Sequence, residues 1–392
     1  MDQMILKPEI QAFVDKNVGE SISKLALQKN PFPDVDWIKI LNQIEAKTKA
    51  KDKLPTWFST SSVIYPRKIS IEQTSSEKAA SFKASIIAGE SLIDLTGGFG
   101  VDDYFFAKKI KEVAHCELDS ELSEIVKHNF KQLNITNISC YAGDSAQTLK
   151  TLDRKWDAIY IDPSRRNDVK GKVFMLKDCL PNVPENLEFY FKYSTAIFVK
   201  TAPLLDISAG ISELKLVKTI YIIAIDNEVK ELLWELEASF SGNTTIKTIN
   251  ILKDSSEKFD FILNNLKTNV PYCLPQKYLY EPNSAIMKSG GFDEVSAFFN
   301  INKLHKHSHL YSSDILKPFA GRTFIIQQSI LYHKTEMKSF LANKQANITT
   351  RNFPESVESI RKKWKIRDGG NIYCFFTTDM NNEKIVLICT KK

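Results

Sequence analysis

The sequence predicts an α/β protein built on a mostly parallel sheet with helices on both faces. It places a helical region ahead of that sheet and small α+β modules behind it. Three observations carry this expectation. From about residue 66 to 251, short apolar runs alternate with amphipathic stretches, the pattern of right-handed βαβ units. The first ~60 residues instead hold two apolar stripes at helical spacing. The last fifth of the chain reads as short strands and helices and is rich in cations. With 392 residues, the chain suits two or three domains of roughly 150 residues each. It can bury ordinary cores without disulfide or metal staples.

The elements follow in order. Phe13, Val14, Ile22, Leu25 and Leu27 form one apolar stripe, and Trp37, Ile38, Ile40, Leu41 and Ile44 form another. The segment 30–34 separates them, with Asp34 as a cap for the second helix. The lysines between Lys47 and Lys53 read as a polar linker leading to Leu54-Pro55-Thr56-Trp57, or as an addition to a basic surface. Strand-type runs are expected at 91–95, 112–117, 137–141, 157–161, 196–200, 219–224 and 245–252, with helices between most of them, for example 121–133. Residues 253–314 contain Pro271, Pro275 and Pro282 and read as a small connecting domain. The last segment reads strand 323–330, helix 336–343, strand 346–351, helix 355–364 and strands 371–377 and 384–389. The expected domains are therefore 1–65, 66–252, 253–314 and 315–392.

Composition narrows the class. At 43% hydrophobic and 26% charged residues, collagenous, disordered and coiled-coil chains are excluded. The six cysteines are scattered with no C-x-x-C pair, which reads as reduced thiols rather than a disulfide framework or zinc ribbon. No apolar run approaches the ~20 residues of a membrane span. The start lacks the basic-then-apolar layout of a secretory signal. A cytoplasmic protein without a metal or membrane partner is expected. The net charge of +6 is uneven: residues 315–392 hold 14 Lys/Arg against 6 Asp/Glu, and the remainder is slightly negative. A basic module beside a neutral body points to a phosphate-rich partner.

The chemistry concentrates at strand ends. Leu92-Ile93-Asp94-Leu95-Thr96-Gly97-Gly98-Phe99-Gly100 is a strand entering a glycine-rich turn and then a helix. Glycines there let backbone approach a ligand, and helix-start amides attract an anion. Alone, such a turn is also a tight connection. The second strand ends at Glu117, 23 residues after Asp94, where an acid can bind a ribose. The third ends in Tyr141-Ala142-Gly143-Asp144, placing a carboxylate to accept from an adenine amine. The fourth ends in Asp162-Pro163-Ser164-Arg165-Arg166. Ligands of open α/β sheets bind at these carboxyl ends. A dinucleotide fingerprint lacks its third glycine here, and no Gly-Lys-Ser/Thr of a P-loop follows.

This series resembles the class I S-adenosylmethionine-dependent methyltransferases, whose fold is a Rossmann-like seven-stranded sheet. The resemblance makes Asp94, Thr96, Gly98 and Gly100 the cofactor loop, Glu117 the ribose acid, Asp144 the adenine contact, and Asp162 with Pro163 the catalytic motif. The segments Glu72-Gln73-Thr74-Ser75-Ser76-Glu77, Lys200-Thr201-Ala202-Pro203 and Asn227-Glu228 are further similar to a bacterial family of candidate RNA methyltransferases. In that family a ferredoxin-like and a C-terminal THUMP-like domain follow the catalytic domain. Leu279-Tyr280-Glu281-Pro282-Asn283 and Lys365-Ile366-Arg367-Asp368-Gly369-Gly370 look like the signatures of those two parts. Gln73 and Ser75 then contact the methionine end of the cofactor, or Thr74 or Ser75 simply caps a helix.

The fourth-strand motif departs from the pattern of amine methyltransferases. Asp/Asn-Pro-Pro-aromatic orients an amine and stacks on a flipped base, but Ser164 and Arg165 occupy the last two positions here. Arg165 and Arg166 serve as phosphate or base contacts, or pair with nearby acids. Arg361, Lys362, Lys365 and Arg367 flank Trp364 and read as an RNA-tracking surface, with a solvated helix face as the plainer alternative. A 5-methylpyrimidine mechanism needs a thiolate, and Cys179 reads instead as a packed core thiol. His305, His307 and His309 alternate as strand residues on one face would, but without neighbouring acids they read as surface.

The expected function is S-adenosylmethionine-dependent methylation of a nucleotide in structured tRNA or rRNA, with RNA as partner. Two alternatives stand beside it. One is a small-molecule or protein methyltransferase with a C-terminal interaction domain. The other is a non-catalytic RNA-binding protein.

Overall fold

A computed structural model describes residues 3–66, 68–165, 175–265 and 270–392. The chain divides into two compact units. The first comprises 1–218 and 232–241, the second 219–231 and 242–392.

The first unit opens with helices α1 (Pro8–Lys16), α2 (Ile22–Ala26), α3 (Trp37–Lys53) and α4 (Pro55–Ser59). Asp36, not Asp34, caps α3, its side chain accepting from the Ile38 amide at 2.9 Å. The expected polar linker at Lys47–Lys53 is the C-terminal half of that helix. Lys47 is buried and paired with Asp15, and Lys53 donates to the Glu72 carbonyl. Cations in a last helical turn also suit the helix dipole. Trp57 on α4 is fully buried, 4.8 Å from the Tyr104 ring and 6.2 Å from Phe99 of the glycine turn. The N-terminal helices therefore buttress the loop that the sequence marks for cofactor.

Helices α5 (Lys68–Gln73) and α6 (Glu77–Ile86) lead to the sheet. It then alternates β1 (Ser91–Asp94), α7 (Val101–Ala107), β2 (Glu112–Glu117), α8 (Ser120–Gln132), β3 (Ile138–Ala142), α9 (Ser145–Leu152) and β4 (Ala158–Ile161). A short pair, β5 (Ser164–Arg165) with β6 (Cys179–Leu180), precedes α10 (Val183–Tyr190), β7 (Ala196–Thr201) and α11 (Ile207–Leu214). Strands β3-β2-β1-β4-β7 are parallel neighbours. Every carboxyl end thus opens at one edge, where β1 and β4 diverge to opposite sides.

The chain next forms β8 (Val217–Ile225) and β9 (Glu228–Glu237). Between them Asp226 and Asn227 both take positive φ, 49° and 65°, as a two-residue hairpin turn requires. Residues 232–237 of β9 pair antiparallel with β7. The sequence reading passed over this strand and took 245–252 as the last of seven. In the second unit, β10 (Thr245–Ile251) runs parallel to β8 and antiparallel to β11 (Ser256–Ile262).

The second unit continues with β12 (Tyr278–Pro282), α12 (Ser284–Ser289), α13 (Phe292–Phe299), β13 (Asn302–Lys303), β14 (Tyr311–Ser313), β15 (Gly321–Leu331), α14 (Lys334–Phe340), β16 (Asn347–Thr350), α15 (Val357–Trp364), β17 (Ile372–Thr378) and β18 (Lys384–Lys391). These build a seven-stranded sheet in the order β13-β14-β12-β15-β18-β17-β16. Met337, Leu341 and Ile360 pack with Phe376 and Val386 to form one core. The signature at 279–283 has structural reasons. Glu281 is buried and held by Arg322 and Arg351, and Asn283 caps α12 while donating to Glu257. His305–His309 lie in a turn, not a strand. There His309 stacks on Phe292 at 3.6 Å, and burial pushes its pKa down to about 4.

Candidate active site

The glycine turn is shaped by two different demands. A Cβ on Gly97 would lie 2.1 Å from the His115 ring, and one on Gly100 would lie 2.5 Å from Phe130. Both positions are therefore fixed by packing. At Gly98, among the described residues and beyond the two that adjoin it, the one neighbour within 4 Å of such a Cβ is the Thr96 carbonyl, at 3.8 Å, and φ is +55°. Its open backbone face leaves room for a ligand. The Gly98 amide donates to Glu117 Oε2 at 2.9 Å, and Oε1 of the same carboxylate accepts from the Asp119 amide at 2.8 Å. Glu117 is thus aimed across the turn at the end of β2. Asp144 is exposed and caps α9, accepting from the Gln147 amide at 2.8 Å through Oδ1. A carboxylate accepts through both oxygens, so the cap and an amine contact are compatible.

Asp94 is buried at the end of β1, accepting from both the Thr96 amide (2.7 Å) and hydroxyl (3.0 Å). The Thr96 hydroxyl in turn accepts from the Asp162 amide at 2.6 Å. One side chain therefore ties the glycine turn to the Asp162-Pro163 segment that follows β4. Beneath the turn, Asp103 and His115 are fully buried and 2.6 Å apart. Burial and the nearby Asp103 charge push Asp94 well above the usual carboxylate range, and Asp103 rises likewise through burial and Asp102. Burial lowers His115.

The sequence reading missed a second buried group. Lys83, on α6, pairs with Asp102 at 2.9 Å and donates to Ser75 (2.7 Å) and Tyr160 (3.2 Å). Lys200, at the end of β7, pairs with Asp162 at 2.6 Å and reaches Ser75 at 3.4 Å. Tyr160 and Ser75 both donate to Asp102, at 2.8 and 3.1 Å. Two lysines and two aspartates thus share one network behind the motif. Lys83 lay on the same helical face as Ala79, Ala80 and Ala84. A lysine on an apolar face was the signal that exposed none of its purpose in sequence. Burial works against the charge of Asp102, but Lys83 and Lys200 outweigh it and its pKa falls. For Asp162 burial wins over the same two cations, and its pKa rises.

Of the remaining expected residues, Ser75 sits inside the network, while Gln73 is exposed at the end of α5. The helix cap is Ser76, which accepts from the Ala79 amide, rather than Thr74 or Ser75. Pro163 is buried beside Asp162. Arg166 and the side chain of Arg165 lie outside the described residues. Cys179 is buried. In the second unit, Arg361 is folded onto its own domain, bound to Asp368 and the Ala346 carbonyl. Lys362, Lys365 and Arg367 are exposed. Lys365 joins Tyr332, Lys334, Lys338, Lys363 and Trp364 around a concave surface. Among the described residues, no cluster of three His, Cys, Asp or Glu suits a metal, and no helix is long and apolar enough to cross a membrane.

Comparison with known proteins agrees with this architecture. Residues 278–319 match the family model of a ferredoxin-like domain, and residues 321–391 match that of a THUMP-like domain. The crystal structure of a candidate methyltransferase from Porphyromonas gingivalis W83 superposes with a TM-score of 0.87 at 29% identity, covering 100% of this chain and 98% of that one. An uncharacterized RNA methyltransferase of Clostridium acetobutylicum is 35% identical over 79 residues, 20% of this chain and 17% of the relative. One from Clostridium tetani is 31% identical over 144 residues, 34% of this chain and 28% of the relative. The chain thus spans less than a third of the curated relatives it matches. Over its full length the chain is similar in fold to that candidate methyltransferase, and it ends in a ferredoxin-like and a THUMP-like domain.

Proposed function

We propose that this protein is an S-adenosylmethionine-dependent methyltransferase acting on a nucleotide of structured RNA, tRNA or rRNA. The carrying observation is the Thr96 hydroxyl, which joins Asp94 of the glycine turn to Asp162 at the adjacent strand end. A cofactor loop and an acceptor-binding carboxylate are thereby built as one unit. The open face at Gly98, the aimed Glu117 carboxylate and the exposed Asp144 suit a nucleoside, and Asp94, Thr96 and Gly100 hold the turn that presents them. Ser75, and Gln73 beside it, line the approach from α5. The bound cofactor supplies an electrophilic sulfonium methyl group.

Methyl transfer from a good leaving group is limited mainly by positioning. Asp162 orients the acceptor through a hydrogen bond, and Pro163 fixes the backbone beside it. Arg165 and Arg166 continue the motif as substrate contacts. The concave surface with Lys334, Lys338, Lys365 and Trp364 supports docking of RNA phosphates and a stacked base. Lys362 and Arg367 extend it, while Arg361 positions the turn. We assign these roles to domains 66–252 and 315–392, with 1–65 supporting the cofactor loop and 253–314 between them. A cytoplasmic location suits this substrate.

The test supplies methyl-labelled S-adenosylmethionine and the full chain to RNA, protein and small-molecule fractions from cells lacking the gene. Label in the RNA fraction is expected. Label confined to protein or small molecules would replace RNA as substrate, and a protein that binds RNA without transferring methyl would be a binding module.

A further inference from the structure

The Asp162 carboxylate does not stand alone. Its partner at 2.6 Å is the Lys200 ammonium, whose side chain is 9% exposed, while the Asp162 side chain is 38% exposed. The carboxylate is the more exposed partner and the ammonium the deeper one. Behind that pair lies Ser75, shared by Lys200 and Lys83. The charged groups around Asp162 are therefore Lys200 from β7, Lys83 from α6 and Asp102 from α7, the last accepting from the Tyr160 hydroxyl of β4. An acceptor atom hydrogen-bonded to Asp162 at about 2.7 Å comes within about 5–6 Å of the Lys200 charge.

This arrangement separates two acceptor chemistries. When a neutral amine attacks a sulfonium methyl, positive charge moves onto nitrogen. Lys200 already neutralises the Asp162 carboxylate, so that carboxylate does less to stabilise the new positive charge. When a hydroxyl attacks, its proton leaves as the new bond forms, and a carboxylate within hydrogen-bond reach is the group to take it. The missing aromatic points the same way, since Ser164 follows Pro163 and no stacking ring for a flipped base stands in the motif.

We propose that the methyl acceptor is a hydroxyl, the ribose 2′-hydroxyl of RNA, with Asp162 as proton acceptor and Lys200 as the residue that positions its carboxylate. This rests on the reading of the chain as an RNA methyltransferase. In the step, an oxygen lone pair forms the O–C bond. The S–C bond breaks with its electron pair remaining on sulfur, so the sulfonium becomes a neutral thioether. The O–H electrons stay on oxygen, and the proton passes to Asp162 and then to solvent.

Two measurements test this. The first uses the full chain without cofactor, labelled with 13C at aspartate side-chain carboxyls. NMR titration of Asp162 in wild type, Lys200→Met and Lys200→Arg is expected to show its midpoint raised in the first variant and nearly restored in the second. An unchanged midpoint in a folded Lys200→Met protein, or a shift that Lys200→Arg does not correct, overturns the positioning role. The second digests the labelled RNA to nucleosides. Label on ribose supports the proposal. Label on a base contradicts it and leaves the RNA methyltransferase reading standing, whereas absence of label in any RNA removes both.

Discussion

Glu117 carries the most exposed part of the cofactor argument, because both its oxygens already accept backbone amides at the mouth of the turn. A charged hydrogen bond contributes about 1.5–3 kcal/mol. Glu117→Ala is therefore expected to weaken S-adenosylmethionine binding by roughly tenfold or more, as read by calorimetry on the folded variant. Equal affinity in variant and wild type would remove Glu117 from the site. The pH dependence belongs to Asp162. Burial raises its pKa and Lys200 opposes the rise. Activity needs the ionised form, so it falls as pH drops through that raised pKa. Removing Lys200 takes away a cation that favours ionisation, and the acid limb of a kcat profile then moves to higher pH. A limb that stays in place would mean the pair does not set the ionisation.

At the scale of elements, the glycine turn separates packing from ligand approach. Gly97→Ala puts a methyl into the His115 ring, an overpacking that costs about 1–3 kcal/mol. Gly98→Ala meets no such neighbour but must hold a left-handed backbone, at about 1–2 kcal/mol, and its methyl stands on the open face. Thermal melts with calorimetry should find Gly97→Ala chiefly destabilised and Gly98→Ala chiefly impaired in cofactor binding. The opposite pattern would reverse these assignments. The same elements mark what sequence reveals. The acids Asp94, Glu117, Asp144 and Asp162 were legible because each closes a short apolar run ahead of a turn. Lys83 was not, and Lys200 stood only within a family-similar segment without a role, because depth within a layer is set by tertiary packing and a lysine reads first as surface. Strand β9 was hidden by its charges: Lys230, Glu231 and Glu235 interrupt the apolar run, and only the Asp226-Asn227 turn announced a hairpin.

At the scale of the whole molecule, the modest net charge of +6 conceals a division of labour. The basic excess lies in 315–392, which contains the THUMP-like match at 321–391, beside a nearly neutral remainder. Its cations are not equivalent, since Arg361 holds a turn together while Lys362, Lys365 and Arg367 are exposed. Each phosphate contact contributes ~0.7–0.9 to the slope of log affinity against log salt. Replacing Lys365 and Arg367 by Gln in the full chain should lower that slope by about 1.5 without changing the melting temperature. An unaltered slope would place RNA elsewhere. The order of the ferredoxin-like and THUMP-like parts was legible, because each carries its own motif.

The central claim is that this chain methylates RNA through the unit joined at Thr96. Mass spectrometry of nucleosides from a deletion strain, its parent and complemented strains tests it most directly. The account predicts one methylated nucleoside lost on deletion, restored by the wild-type gene and not restored by Asp162→Ala. Identical nucleoside profiles in all strains, or restoration by Asp162→Ala, would contradict it.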